Sequence, residues 1–471
     1  MARQLQRLPP AHRGGASTGH RDLAGSGADR VTRPRDAPEP APRDRYPDAL
    51  RAVALLVVVF GHWLATLPRL VDGRMVSTEH LLTVWDTAGV LTWFLQVVPL
   101  FVFVSAAVSA DGAARRLSER SSQLSWWAGR ALGLARPTVT YLAVLSVLVL
   151  ISVVTGARLI GPLDQSLTVH LWFLLMLLAV QALLPLSVRA DQRFGLGAVV
   201  GLVVIAAAAD LLRGQVTSVA ELLALGEQVT TSRPDLGWTN LITVWLLPQQ
   251  LGIAWRRGRF GGPRTGAGFL VLGGVWLLAS VASGYPVAMV GGDLAGGTNV
   301  LPPTLALIGV MWLQVGGVLL FEGPARRRLE GRRIGGVVTV LSVLSMPLYL
   351  WHKLAELPAA WLGEVLGAPI DAGVPGEAGF WWGRLWWVVL CIVMVAPVLA
   401  GVVAFESRRR RDVPVTTRRR SAWLGGTALM IGIVAALVLG ARPGAFLGLI
   451  GVAAASWTLR DHPRIAARAG T

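Results

Sequence analysis

Residues 48–67 read DALRAVALLVVVFGHWLATL, and the order of side chains in that stretch decides the fold. Ten residues without a charge separate Arg51 from His62, and the apolar run continues to Leu67. Roughly 20 helical residues cross the hydrocarbon core of a bilayer, so residues 49–67 suffice. Lipid offers the backbone no hydrogen-bond partner, and such a span must therefore be a helix. On that helix Arg51 and His62 lie three turns plus about 20° apart, so they share a face and stand about 16 Å apart along the axis. A cation sits near one membrane surface, and an imidazole sits well inside.

The same pattern recurs along the chain. Hydrophobic residues make up 53% of the 471 positions and charged residues only 15%, against about 25% charged in a soluble protein. Spans are expected at 49–67, 89–110, 132–154, 168–188, 195–213, 237–255, 267–285, 303–321, 334–352, 382–405, 422–441 and 443–458. The last two are joined only by a turn at Arg442–Pro443–Gly444, as either a full hairpin or a re-entrant pair. The fold class is all-α: a polytopic transmembrane bundle of ten core helices (46–405) plus a C-terminal hairpin (421–459). Residues 406–420 form a basic loop, and 1–45 and 460–471 are tails. The first tail is rich in Arg, Pro, Gly and Ser, which predicts disorder. It lacks the apolar core of a secretory signal.

The net charge of +17 does not point to nucleic acid, because the arginines sit in loops between the spans. They alternate in the sense of the positive-inside rule. Arg115, Arg116, Arg120 and Arg130, then Arg256, Arg257, Arg259 and Arg264, then Arg326–Arg328, Arg332 and Arg333, then Arg408–Arg411 and Arg418–Arg420 fall on one side. On the other side, 286–302 has no Lys or Arg, and 353–380 is read as an outer loop with Lys353 beside several acids. Both termini are expected in the cytoplasm and the chain in the plasma membrane. Trp126, Trp127, Trp381 and Trp382 fall at the expected interfaces. Cys391 is the single cysteine, which rules out a disulfide framework. The excess of arginine over lysine, with abundant Ala, Gly and Val, fits a GC-rich bacterial genome.

Charges inside a membrane are costly, at about 2.5–3.5 kcal/mol each on insertion scales. Carboxylates are nearly absent from the span centres, which counts against a proton-coupled carrier. Histidine behaves differently: His62, His170 and His352 all fall in the outer part of a span. Imidazole takes up a proton near neutral pH and suits general-base work; the bland alternative is interfacial histidines hydrogen-bonded to their neighbours. The three lack the local spacing of a zinc site, and no metal is expected. Arg51 at the cytoplasmic mouth with a base deeper on the same face suits a long donor with an anionic head, the form of acyl-CoA. A snorkelling flank residue is the other reading of Arg51.

Several of these residues fall in motifs. Asp48-Ala-Leu-Arg51 with His62 resembles the opening motif of the acyltransferase-3 family of membrane O-acyltransferases. Gln96-Val-Val-Pro99-Leu-Phe101-Val-Phe103-Val-Ser105 is similar to its second-helix signature, and Arg130 with Arg136-Pro137 to its arginine-rich third-helix start. Leu171-Trp172-Phe173-Leu174 and Ser345-Met-Pro-Leu-Tyr349-Leu-Trp-His352 resemble its fourth-helix and late Tyr-x-x-His motifs. The resemblance covers about 45–405. Ala106-Ala107 stand where relatives usually have glycine, and no soluble esterase-like domain follows.

The resemblance implies a ten-helix transferase that moves an acyl group from cytoplasmic acyl-CoA to a hydroxyl of a glycan, lipid or secreted metabolite, as in O-acetylation of the cell envelope. Arg51, Arg130 and Arg136 would grip the CoA phosphates, and His62 would act as base or be transiently acylated. Tyr349 and His352, three apart on one helix face, would orient the acceptor or the base. The alternative is a carrier or exporter of a polar lipid or glycan.

The arginine asymmetry predicts the topology. Cysteines placed in 286–302 and 360–378 should react with an impermeant thiol reagent on intact cells, and those in 112–128 or 323–333 should not. Labelling of the second set would reverse the orientation.

Overall fold

The computed structural model describes residues 44–119, 123–157, 159–223, 236–291, 299–371, 373–409 and 414–461. Except for Asp44, Arg45, Arg460 and Asp461, the two expected tails lie outside the described residues, as does part of the basic loop at 406–420. Helix α1 (Tyr46–Ala65) carries Pro47 in its first turn, where a missing N–H is harmless, and Asp48 at the positive end of the helix dipole. It ends at Thr66, whose backbone N–H and hydroxyl both donate to the carbonyl of His62.

The chain then enters a feature that the sequence reading did not anticipate. Strands β1 (Thr66–Val71) and β2 (Arg74–His80) pair antiparallel, with Asp72 and Gly73 both at positive φ in the turn. Asp-Gly is the pair that such a two-residue turn selects. The bundle is otherwise helical. Short helices α2 (Leu81–Val84) and α3 (Thr92–Leu95) lead into α4 (Val98–Ser118) and α5 (Gln123–Thr155).

The expected span at 168–188 is not continuous. It divides into α6 (Ser166–Val169), α7 (Trp172–Ala182) and α8 (Leu184–Phe194), with a 48° bend before α8. Pro185 stands in the first turn of α8, just after that bend; in a continuous helix its ring would clash with a carbonyl one turn back. There follow α9 (Gly197–Leu223), α10 (Asn240–Arg256), α11 (Pro263–Ala282), α12 (Ala306–Leu329) and α13 (Arg332–Trp351). The stretch 353–380, read from sequence as an outer loop, contains α14 (Glu356–Leu366), whose Glu356, Ala359, Ala360 and Gly363 are buried. Last come α15 (Phe380–Arg409), α16 (Arg419–Leu439) and α17 (Arg442–Thr458).

Among the described residues, eight helical stretches are long and apolar enough to cross a membrane, and nine if the bent pair is one span. The expected spans fall largely on helix, with breaks at Gln96–Val97 and within 168–188, so the chain is an all-α polytopic bundle. Helices α16 and α17 run antiparallel at very close range, with Gly432 against Gly448 and Gly451, and Gly444 against Ala436. Small residues let helix backbones approach this way inside a membrane. The tightest such approach holds α10 against α4, where a Cβ on Gly252 would overlap the carbonyl oxygen of Phe103. Around α1, the side chains of Val59 and Trp63 pack with Ala355, Ala359, Ile370, Trp387 and Cys391, which ties the end of α1 to α14 and α15.

Gly252→Ala should therefore destabilise the protein by about 3 kcal/mol through backbone overlap. Gly133→Ala, in the middle of α5 with nothing within 4 Å of the added carbon, should leave stability unchanged or raise it slightly. Thermal unfolding of the two purified variants checks the contrast.

Candidate active site

Two histidines 290 residues apart in sequence meet at the end of α1. His62 Nδ1 lies 2.8 Å from Nε2 of His352, which caps the C-terminus of α13. The other nitrogen of His352, Nδ1, lies 2.7 Å from the backbone carbonyl of Tyr349. A carbonyl only accepts, so His352 Nδ1 carries its proton and, in the neutral ring, Nε2 is an acceptor. His62 Nδ1 must then be the donor, which leaves the lone pair of neutral His62 on Nε2. His352 is fully buried behind His62, whereas His62 is partly exposed. Trp63 Nε1 donates to the carbonyl of His352 at 3.1 Å, a second tie between the same two helix ends.

His170 completes the group from the turn between α6 and α7. Its ring packs edge-on against His352 and Tyr349, with centroids 5.4 and 5.6 Å away. The Tyr349 hydroxyl donates to the His170 carbonyl. Among the described residues, no group of three or more His, Cys, Asp or Glu side chains is arranged to hold a metal ion.

Below the histidine pair lies a buried ionic network. Lys353, the chain's only lysine, donates to both carboxylate oxygens of Glu356 at 2.7 and 2.8 Å and to Thr66 Oγ1 at 3.0 Å. The Thr66 hydroxyl donates in turn to the His62 carbonyl at 2.9 Å. Arg384 is 2% exposed and donates to the carbonyls of Thr66 (2.7 Å) and Ile370 (2.9 Å). Burial holds the Glu356 carboxyl above the usual carboxylate range, and Lys353 and Thr66 offset part of that rise.

His62 opens onto a cavity of about 550 Å³. Its lining on α1 includes the stripe Ala54, Val57, Val58, Gly61, His62 and Ala65, and Arg51 lies on the same stripe one turn beyond Ala54. Trp85, Phe101, Trp172, Phe173, Phe380 and Trp381 supply the aromatic part of the remaining wall. Most polar side chains of the described lining are engaged with the protein itself. Thr92 donates to Gly89 and accepts from Met289, Gln96 bonds to Val98 and Met289, and Ser166 donates to Leu163. Glu79 is held by Arg69 at 2.6 and 3.0 Å. His80, at the exposed end of β2, accepts from the Leu82 N–H at Nδ1. Nε of Arg384 and both ring nitrogens of His170 are sealed from the surface and from the cavity.

The acyltransferase-3 family model, described as an acyltransferase domain, matches residues 44–406. The chain belongs to the acyltransferase-3 family. The match spans well over half of the sequence and makes the protein a membrane acyltransferase. Comparison with curated proteins and with solved structures gives no match.

The structure of this acyltransferase brings His62, His352 and Tyr349 together, with His170 beside them. It does not bring the three arginines into the cavity. Arg51 is paired with Asp48 at 3.9 Å in the first turns of α1. Arg130 donates to Ser109 Oγ at 3.2 Å and lies 5.2 Å from the Trp126 ring centre. Helix α5 has 33 residues and is about 50 Å long, so some 20 Å of it exceeds the bilayer core. If that excess lies at its start, Arg136 stands at the membrane boundary. The sequence reading missed Lys353, Glu356, Thr66 and Arg384 as parts of the site. Lys353 and Glu356 are an i, i+3 ion pair in a stretch with apolar helical periodicity, and that signal was available.

Removing one partner of a buried ion pair leaves an uncompensated charge. Glu356→Gln should destabilise the protein by about 3–5 kcal/mol, whereas Lys353→Met combined with Glu356→Leu should cost much less. Chemical unfolding of the single and double variants measures the difference.

Proposed function

We propose that this membrane acyltransferase moves an acyl group from acyl-CoA to the hydroxyl of a lipid, glycan or small metabolite, with His62 Nε2 as general base. The observation that carries this reading is the one-way hydrogen-bond chain Tyr349 carbonyl, His352, His62, which leaves a basic nitrogen on the cavity wall. His62 takes the hydroxyl proton as the oxygen bonds to the thioester carbon. The C–S bond breaks, and the proton passes from His62 Nε2 to the departing sulfur, giving free CoA thiol. His352 delivers no proton in this scheme; it orients the His62 ring and stabilises the imidazolium that forms briefly.

The donor is proposed to approach from the Arg51 end, with the arginine-rich loops cytoplasmic. The α1 stripe from Ala54 to His62 would carry the acyl-bearing arm, and Arg51, Arg130 and Arg136 would hold the phosphates outside the cavity. Arginine suits this work because its planar donors match phosphate oxygens. The plasma membrane is the compartment this topology fits.

Two measurements test the reading. His62→Ala and His62→Gln should each lower acyl transfer by roughly 10²–10⁴-fold while CoA still binds; a near-normal rate in the glutamine variant would make His62 structural. Arg51→Ala or Arg130→Ala should weaken CoA binding, and added salt should weaken it in the unaltered protein. Unchanged affinity in both variants would remove the phosphate grip.

A further inference from the structure

The cavity beside His62 has an unusual property for a site that must receive a hydroxyl. Its polar side chains are turned on one another: Lys353 is held by Glu356 and Thr66, and Arg384 by two backbone carbonyls. The one carboxylate in the described lining, Glu79, is held at Oε2 by Arg69. Among the described lining residues, what remains for a ligand deep in the cavity is the lone pair on His62 Nε2 and a wall of aromatic and aliphatic surface, with Glu79 Oε1 and the second nitrogen of His80 at the exposed end of β2.

We propose that the acceptor is an apolar alcohol, a single hydroxyl on a hydrocarbon or aromatic body, and not a sugar. The proposal rests on the transferase reading above and narrows its acceptor. A pyranose carries several hydroxyls, and each one buried without a partner weakens binding by about tenfold or more. Sites that read polar ligands turn unengaged acids, amides and hydroxyls toward them, because a hydroxyl group in the ligand needs its own donor or acceptor. Here most of the matching groups are already bonded, and Glu79 and His80 stand at the exposed end of β2 and not in the depth of the cavity. An apolar alcohol meets the opposite balance: its body displaces water from Trp85, Trp172, Phe173 and Trp381, and its one hydroxyl finds His62.

Size and access agree with that chemistry. A volume of about 550 Å³ lies within the range that takes a compact ligand of drug size. Leu64, Leu91 and Leu95 belong to the lining yet remain 37%, 49% and 43% exposed. They form an apolar rim on a protein surrounded by lipid, where an apolar alcohol is already dissolved.

The test uses the full chain, purified in a lipid nanodisc, with cyclododecanol and methyl glucopyranoside as probes. Tryptophan fluorescence reads binding without acyl-CoA. Gly61→Leu supplies the control, since Gly61 lines the cavity and a carbon added there meets nothing within 4 Å. Cyclododecanol should bind at least about tenfold more tightly than the glucoside, and Gly61→Leu should weaken it by about tenfold without moving the unfolding temperature. Equal or tighter binding of the glucoside would overturn the proposal, as would cyclododecanol binding that Gly61→Leu leaves unchanged. Should that variant not fold, the ratio of the two affinities in the unaltered protein decides alone. A second arm adds acetyl-CoA and follows thiol release. Alcohol binding without thiol release would contradict the transferase chemistry assigned to His62 and leave the acceptor class standing.

Discussion

The site depends on one constraint: the backbone carbonyl of Tyr349 can only accept a hydrogen bond. Because His352 Nδ1 lies against it, His352 has one neutral tautomer, and that tautomer dictates the one on His62. The direction of a chain of three groups is therefore set at its buried end. A base needs an unprotonated nitrogen at the reacting position, and here the backbone of α13 supplies the orientation. His62 alone on α1 would be free to present either nitrogen to the cavity.

That arrangement needs two helix ends held in register, and the surrounding structure does this in several ways. Trp63 bonds to the carbonyl of His352, and the Lys353–Glu356 pair reaches the His62 carbonyl through Thr66. Arg384 fixes the next carbonyl, at the point where helix gives way to strand. A buried ion pair is weak evidence for stability, since desolvation offsets much of the attraction. Its position here, directly beneath the histidine pair, fits a role in geometry. The tightly packed α14 closes the network from the side, which explains why that short helix is buried rather than a surface loop.

Much of this was legible in the sequence. The spans were readable because lipid forces backbone hydrogen bonds into helices, and hydropathy alone then marks them. His62, His170 and His352 were readable as imidazoles at one depth. Their pairing was not, because no local periodicity relates residues 290 apart. The 168–188 span broke at Pro185, whose effect is local but whose bend angle depends on neighbouring helices. The β-hairpin is signalled locally by Asp72-Gly73, but hydropathy, which marks the spans, does not register a turn. Lys353 and Glu356 were passed over for a related reason. Charges beside a span end read as an outer loop, and only the fold reveals that they neutralise each other inside. The arginines present the opposite case: they stand out in sequence, but the geometry keeps them away from the reacting position.

The most direct measurement of the central claim is the protonation pattern of His62 itself. Nitrogen-15 magnetic resonance of the membrane-embedded protein with labelled histidine, assigned by comparison with the His62→Gln variant, reads each ring nitrogen at neutral pH. The account predicts a neutral His62 ring with its proton on Nδ1 and a bare Nε2. A His62 protonated at Nε2, or on both nitrogens, would contradict it.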